Sequence, residues 1–320
     1  MEWWTTSFDT VQQWLFEAVV QPLMFAAGLA SFLEDGYRAT GWLLVGILQL
    51  LVIVGLFAPL QRWRPVEPLT DRAAVRTDIV YTLLHRLGLF RLGLFFAIDP
   101  LWDSLFGRLR VGGLHTFQLD SVWPGVTDGS WVSLLLYLVA FDLLDYWIHR
   151  GQHRFEWWWR LHALHHSQRQ MTMWSDNRNH LLDDVLRDSL IVVVAQLIGV
   201  APGQFVAIVA VTQLSESFQH ANLRLWFGSV GERLWISPRF HRMHHAIAQA
   251  QSHRSARGSN FGVLLPWWDM LFGTANFERL FGPTGLRDQV EPGPDGRVRD
   301  YGQGFWAQQW RGLLRLAGRA

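Results

Sequence analysis

The chain contains no cysteine. That absence excludes disulfide bridges, cysteine-ligated iron–sulfur clusters, thiolate-ligated haem and a cysteine nucleophile. Lysine is missing too, all 28 basic residues being arginine, and no function is drawn from that bias. Charge is scarce: charged residues make up 17% of 320 and nearly cancel at a net +1, so nothing global attracts nucleic acid. The opening residues, MEWWTTSFDT, lack the positive stretch of a cleavable signal peptide, and none is expected. Two redox signatures are also missing: the His-Pro-Gly-Gly element of a fused haem-binding cytochrome domain and a Gly-x-Gly-x-x-Gly after a strand. There is no internal repeat and no low-complexity tract.

What is plentiful is apolar and aromatic. Half of the residues are hydrophobic, with 19 Trp and 21 Phe. Mean hydropathy is +0.09, high for a soluble enzyme and suited to a membrane protein with a wet portion. The first apolar segment covers residues 11–33 and is interrupted by Glu17 and Pro22. The second, residues 41–60, carries no charge and matches a ~30 Å hydrocarbon core. Arg62, Arg64, Arg72 and Arg76 follow it, which places that loop in the cytoplasm by the positive-inside rule. A third segment, residues 78–98, holds His85, Arg86 and Arg91 and must be sheltered by other helices. The fourth, residues 131–148, holds Asp142 and Asp145 and runs directly into a histidine pair.

Further on, residues 189–200 and 203–214 are apolar stretches of 12 residues separated by Ala201-Pro202. Each reaches ~18 Å as a helix, too short to cross, so a hairpin dipping in from the cytoplasmic side is expected. Phe305–Leu316 reads as a short amphipathic helix resting on the membrane. The expected fold class is all-α: an integral membrane helical bundle with its histidines gathered at one membrane face. Three stretches are expected, residues 1–130 of membrane helices, 131–275 as the catalytic region, and 276–320 as linker and terminal helix.

Ten of the thirteen histidines fall between positions 149 and 245. They read His149-x3-His153, His162-x2-His165-His166, His180, His220 and His241-x2-His244-His245. On a helix, i, i+3 and i+4 share one face, so each cluster aims its imidazoles one way. By chance the His-x2-His-His pattern should appear about 0.02 times in a chain of this composition, and twice about 0.0002 times. Imidazole suits iron, zinc, copper and nickel, and ten such ligands exceed what one ion can use. Two metals are expected. Asp145 lies one turn before His149 on the same face and is the candidate to orient it by accepting its second N–H. His85 is read as a packed histidine and His115, in a Gly-rich loop, as a solvated one.

These motifs resemble one family. YWIHRGQH, LHALHHS, QHANLRL, SPRFHRMHH, and SNFG followed by PWWDMLFGT look like the fatty acid hydroxylase/sterol desaturase superfamily of membrane oxygenases, from about residue 131 to 274. The resemblance implies metal ligation by His149, His153, His162, His165, His166, His241, His244 and His245, with His180 and His220 matching further ligand positions. It implies an integral membrane helical bundle under a cytosolic, histidine-rich helical cap holding a dimetal centre of two iron ions; zinc is kept as an alternative occupant. One stretch departs from it: AQAQSHRSARGSNFG is more basic than usual and carries His253.

The expected function is an O2-dependent lipid hydroxylase or desaturase in the inner (cytoplasmic) membrane, with its histidines facing the cytoplasm. Non-redox dizinc chemistry and metal transport are the alternatives. The histidine-only clusters count against the first, and their position at one membrane face counts against the second. A di-iron oxygenase must be reduced at every turnover, and the chain carries no redox domain. A separate electron donor, ferredoxin-like or a small cytochrome with its reductase, is therefore expected on an Arg-rich face including His253, Arg254 and Arg257.

Overall fold

The computed structural model describes residues 2–247, 258–293 and 296–319. Helix α1 (Glu2–Leu15) passes through a π-turn, Phe16–Val20, into α2 (Gln21–Ala26). The long helix that follows repeats the device: α3 (Leu33–Val52) passes through a π-turn, Ile53–Phe57, into α4 (Ala58–Trp63). Each π-turn lies just upstream of a proline, Pro22 or Pro59. A proline has no N–H and its ring crowds the carbonyl four residues back, so widening the preceding turn keeps the helix running. Next come α5 (Arg72–Arg86), capped by the Asp71 carboxylate accepting from Ala74 N at 2.9 Å, then α6 (Leu89–Ala97) and α7 (Asp99–Val111). Gly88, at φ +75°, turns the chain between α5 and α6.

The second half holds α8 (Ser130–Arg154), α9 (Glu156–His166), α10 (Leu181–Ile198), α11 (Pro202–His220), α12 (Gly228–Gly231), α13 (Pro238–His244), α14 (Trp267–Leu271) and α15 (Phe305–Leu316). Among the described residues there is no strand, only a single bridge between Ala246 and Thr284. The fold is all-α.

Two helices are long and apolar enough to cross a bilayer, Ala30–Trp63 and Ser130–Arg154. The pair α5–α6, bent by 51°, makes a third if it counts as one span. The first apolar segment does not form one span, because its helix ends at Ala26, ahead of Gly28 at φ +73°. On the spans, Leu48, Leu51, Val54, Leu56 and Leu135 point outward. Such a belt of exposed aliphatic side chains fits hydrocarbon rather than water.

The charged residues of the third segment are sheltered, as their cost in lipid requires. Arg86 is buried and donates to Asp176 (2.8 Å) and Ser217 (3.0 Å), and also to Gln49 and Gln213, tying α5 to α3 and α11. Arg91 lies over the Trp42 ring. The expected hairpin is present, but its arms are longer than their apolar stretches, 18 residues in α10 and 19 in α11. The chain reverses at Gly199 (φ +73°) and Pro202, and both arms pack on α8 around Tyr137, Phe141 and Ile208. The extra turns are polar and reach the histidines.

α15 has its faces inverted relative to an ordinary packed helix. It buries Gln308, Gln309, Gly312 and Arg315 and exposes Trp306, Trp310 and Leu313. Gln309 donates to Tyr81 of α5 at 2.9 Å, and Arg315 donates to the Arg160 carbonyl of α9 at 3.2 Å.

Asp128 and Glu156 are exposed and flank the 25 residues of α8, a helix ~37 Å long. Because the chain has no cysteine, Asp128→Cys and Glu156→Cys each give a single labelling site. In sealed right-side-out vesicles an impermeant maleimide should label Asp128→Cys, and Glu156→Cys only after permeabilisation. Equal labelling of both from the outside would show that α8 does not cross.

Candidate metal centre

The site is assembled where α8 leaves the bundle. His149 and His153 are one turn apart near the end of α8. At Phe155 the backbone becomes extended (φ −94°, ψ 118°), and α9 folds back with His162, His165 and His166. His220 closes α11, and α13 brings His241 and His244, with His245 as its C-cap. Pro238 starts α13, and the Ser237 hydroxyl caps it by accepting from Phe240 N at 3.1 Å.

The imidazoles form three groups. One is His149, His153, His162 and His166; a second is His165, His220, His241 and His245. A third, His166, His244 and His245, shares a member with each. Within a group the candidate ligand atoms lie within 4.8 Å of one another. The Nε2 atoms of the second group are chained, His165 to His220 at 3.2 Å, His220 to His241 at 3.0 Å and His241 to His245 at 3.1 Å. His166 and His244 bring their Nε2 atoms to 3.1 Å. Two nitrogens on one metal at ~2.0–2.1 Å stand roughly 2.9–3.4 Å apart at octahedral or tetrahedral angles. The spacing fits metal ligation.

Four of the rings have their Nδ1 held by a second partner, which fixes the tautomer, while Nδ1 of His165, His241 and His245 has none. Nδ1 of His149 meets the Phe261 carbonyl at 2.8 Å, that of His220 the Glu216 carbonyl at 2.8 Å, and that of His244 the Ser259 carbonyl at 2.7 Å. His162 Nδ1 meets Asp183 Oδ2 at 3.0 Å. Asp183 is itself fixed by Gln152 (2.8 Å) and Trp158 (2.6 Å). Nε2 of His149, His153 and His162 is left buried with no hydrogen-bond partner. An unsatisfied buried polar atom costs about 1–3 kcal/mol, so three together point to a ligand that takes their lone pairs.

Burial keeps the cap imidazoles neutral. It pushes His244 down to about 3, and lowers His166, His241 and His245 well below the usual imidazole range, neighbouring histidines adding to the effect. At pH 7 their lone pairs are free for a metal. Depressed values are a cost paid on acidification: below the ordinary imidazole range the unfolded chain takes up protons that the fold refuses, and stability falls.

The SNFG turn has a structural purpose. Asn260 sits at φ +60°, its amide donating to the carbonyls of Phe240 and Asn276, both at 3.0 Å. Asp269 accepts from Phe261 N (2.8 Å), Gly262 N (2.7 Å) and the Thr274 hydroxyl (2.6 Å). This clamp sets the Ser259 and Phe261 carbonyls against His244 and His149. The Asp142 carboxylate extends it, accepting from Leu264 N at 2.7 Å and from the Trp268 indole at 2.9 Å.

Nine of the ten predicted histidines converge. His180 does not. It caps α10, its Nδ1 accepting from Leu182 N at 3.1 Å, while Nε2 meets the Gln309 carbonyl of α15 at 3.0 Å. With both nitrogens used, its ring ties α10 to the terminal helix. Asp145 does not meet His149; it accepts from Arg187 at 3.1 Å, which also reaches Glu216 at 3.4 Å. The partner of His149 is a carbonyl that arrives from 112 residues away. His85 lies 3.4 Å from Asp184, and His115 is exposed. His253, Arg254 and Arg257 lie outside the described residues. Sequence reasoning missed Asp183; its one signal was the acidic pair Asp183-Asp184 following His180 in an otherwise basic region.

Replacing His166 or His245, which belong to overlapping groups, should remove metal from the purified protein, and chelation should lower its unfolding temperature. His180→Ala should keep its metal. Asp183→Asn should weaken metal affinity about 10–100-fold. Elemental analysis decides: metal retained in His166→Ala and lost in His180→Ala would refute the ligand assignment.

Residues 134–274 match the model of the fatty acid hydroxylase family. The chain is 28% identical over 265 residues to the ornithine lipid hydroxylase OlsE of Rhizobium tropici, covering 80% of this chain and 76% of that one. It is 27% identical over 157 residues to the fatty acid hydroxylase vlmA of a Lecanicillium species, covering 45% of this chain and 41% of that one. No solved structure matches. The matched region contains His149–His166, His220, the His241–His245 cluster and the SNFG clamp, so the residues of the site lie in the stretch that resembles the fatty acid hydroxylase family.

Proposed function

We propose that the protein is a membrane-bound, O2-dependent lipid hydroxylase whose centre holds two iron ions. The observation that carries this reading is the pair of four-histidine groups joined through His166, His244 and His245. In this reading His149, His153, His162 and His166 hold one ion, His165, His220, His241 and His245 the other, and His244 lies between them. Bound iron would supply what side chains cannot, the oxidation of an unactivated C–H bond by O2. The balance is RH + O2 + 2 electrons + 2 protons giving ROH + H2O, the electrons coming from a separate one-electron carrier protein.

The chain's own residues do the rest. The histidines contribute no charge, so a bound metal pair keeps its full positive charge. Asp183 offsets part of it from behind His162 and keeps that ring turned inward. The SNFG clamp holds His149 and His244, and the buried cap keeps bulk water away. α8 and α10–α11 bring the site to the edge of the bilayer, where a lipid can reach it without leaving the membrane. The R. tropici relative supports a lipid with an amino-acid headgroup as substrate. The three stretches 1–130, 131–275 and 276–320 remain our division of the chain into membrane helices, catalytic region and terminal element.

Purified protein in lipid bilayers should contain close to two iron atoms per chain. Given O2, a ferredoxin or small cytochrome and its reductase, it should add 16 mass units to a lipid. NAD(P)H without the carrier should give no sustained turnover. Two zinc atoms with O2-independent turnover would overturn the reading.

A further inference from the structure

An ordinary surface helix turns its apolar stripe to the core. α15 does the opposite. Trp306, Trp310 and Leu313 follow one another at i, i+4 and i+7, so they form a single stripe, and they are 80%, 61% and 42% exposed. The buried face holds Gln308, Gln309, Gly312 and Arg315 instead.

That inner face is fitted to one place. The Gln309 side chain donates to the Tyr81 hydroxyl and to the Asn179 carbonyl, each at 2.9 Å, and accepts from Leu181 N at 2.9 Å. Its backbone carbonyl meets His180 Nε2 at 3.0 Å. Gly312 lies against the His180 ring, where a methyl group would find no room. Farther along, Arg315 donates to the Arg160 carbonyl at 3.2 Å, and Arg160 donates to the Leu316 carbonyl at 3.4 Å. The polar face thus fixes how α15 is turned, and the tryptophans point outward because of it.

The surroundings of the stripe say what covers it. Phe305 packs on Tyr81 of α5, ring centroids 4.7 Å apart. On α5 the neighbouring Val80 and Leu83 are exposed, and they belong to the bent helix pair that can count as a span. On α9, the helix under the other end, Trp157 is exposed beside Phe155, at the corner where the spanning helix α8 ends. The stripe therefore adjoins lipid-type surface at both ends. Two of its three members are tryptophans, which settle at the headgroup level of a bilayer. A helix with one such face lies in the interface plane.

We propose that α15 is a membrane clasp. Its Trp306–Trp310–Leu313 stripe rests in the headgroup region of the bilayer on the histidine side, and that contact holds its polar face on the first turn of α10. Asp183, which orients His162, stands in that turn. The lipid surface then braces a residue behind the histidine cluster, whatever the centre oxidises.

The test uses the full chain in vesicles of phosphatidylcholine and phosphatidylglycerol. Ala307 is exposed beside the stripe, and with no native cysteine Ala307→Cys takes a single environment-sensitive fluorophore. A nitroxide on the lipid headgroup should quench it at least threefold more than one deep in the acyl chain. Adding Trp306→Ser and Trp310→Ser, both at exposed positions, should remove that quenching. In the same double-serine protein, amide hydrogen exchange over residues 181–184 should quicken at least tenfold, with α11 unchanged.

A fluorophore that no lipid nitroxide quenches would overturn the membrane contact. Shielding from water without lipid quenching, growing with protein concentration, would assign the stripe to a second copy of the chain and overturn it equally. Quenching lost in the double-serine protein with exchange over 181–184 unchanged would overturn the clasp. Faster exchange in α11 as well would mean a general loosening of the fold and would count against it.

Discussion

The histidine-bearing half serves one constraint: nine imidazoles converge, eight of them buried and His153 partly so, and rings so crowded must be kept from turning away. A buried imidazole with a loose second nitrogen would rotate to satisfy it. Four of the nine are therefore pinned through Nδ1, three by carbonyls and one by Asp183. The carbonyls cannot come from the helices that carry the histidines alone, since helical carbonyls are mostly spent on the helix. Two come from the irregular Ser259–Phe261 turn, and the third is the Glu216 carbonyl, one turn before His220 in α11. The turn must then be held itself, which explains Asp269, Asp142 and the left-handed Asn260.

The polar residues of the membrane-embedded half follow the same economy. Asp142 holds backbone amides, Asp145 and Glu216 face Arg187, and Arg86 joins three helices and Asp176. None is left to lipid. Together they build a polar shaft from the bundle to the histidines, while leucines cover the outside.

α15 shows how a terminal element can be drawn into such a site. Its polar face is turned inward to Tyr81, Arg160 and the His180 ring, and its tryptophans are turned out. An amphipathic pattern alone gives two faces without saying which is buried. Here the inward face is polar because the surface it meets is polar.

The sequence determined what is local and periodic. The charge-free run 41–60 marked the core of the spanning helix Ala30–Trp63, and the spacing of His162, His165 and His166 placed three rings on one helical face, because both depend only on neighbours along the chain. The motif set from YWIHRGQH to SNFG carried the family resemblance on the same ground. Only the tertiary structure decided the pairings across distance: His149 with Phe261, His162 with Asp183, and Asp145 with Arg187 rather than with the His149 ring. It also removed His180 from the centre, since whether a histidine next to a helix start meets a metal or a neighbouring helix depends on what packs there. Hydrogen-bond partners separated by tens of residues leave no periodic trace, and the geometry that selects among several carboxylates exists only once the helices have packed.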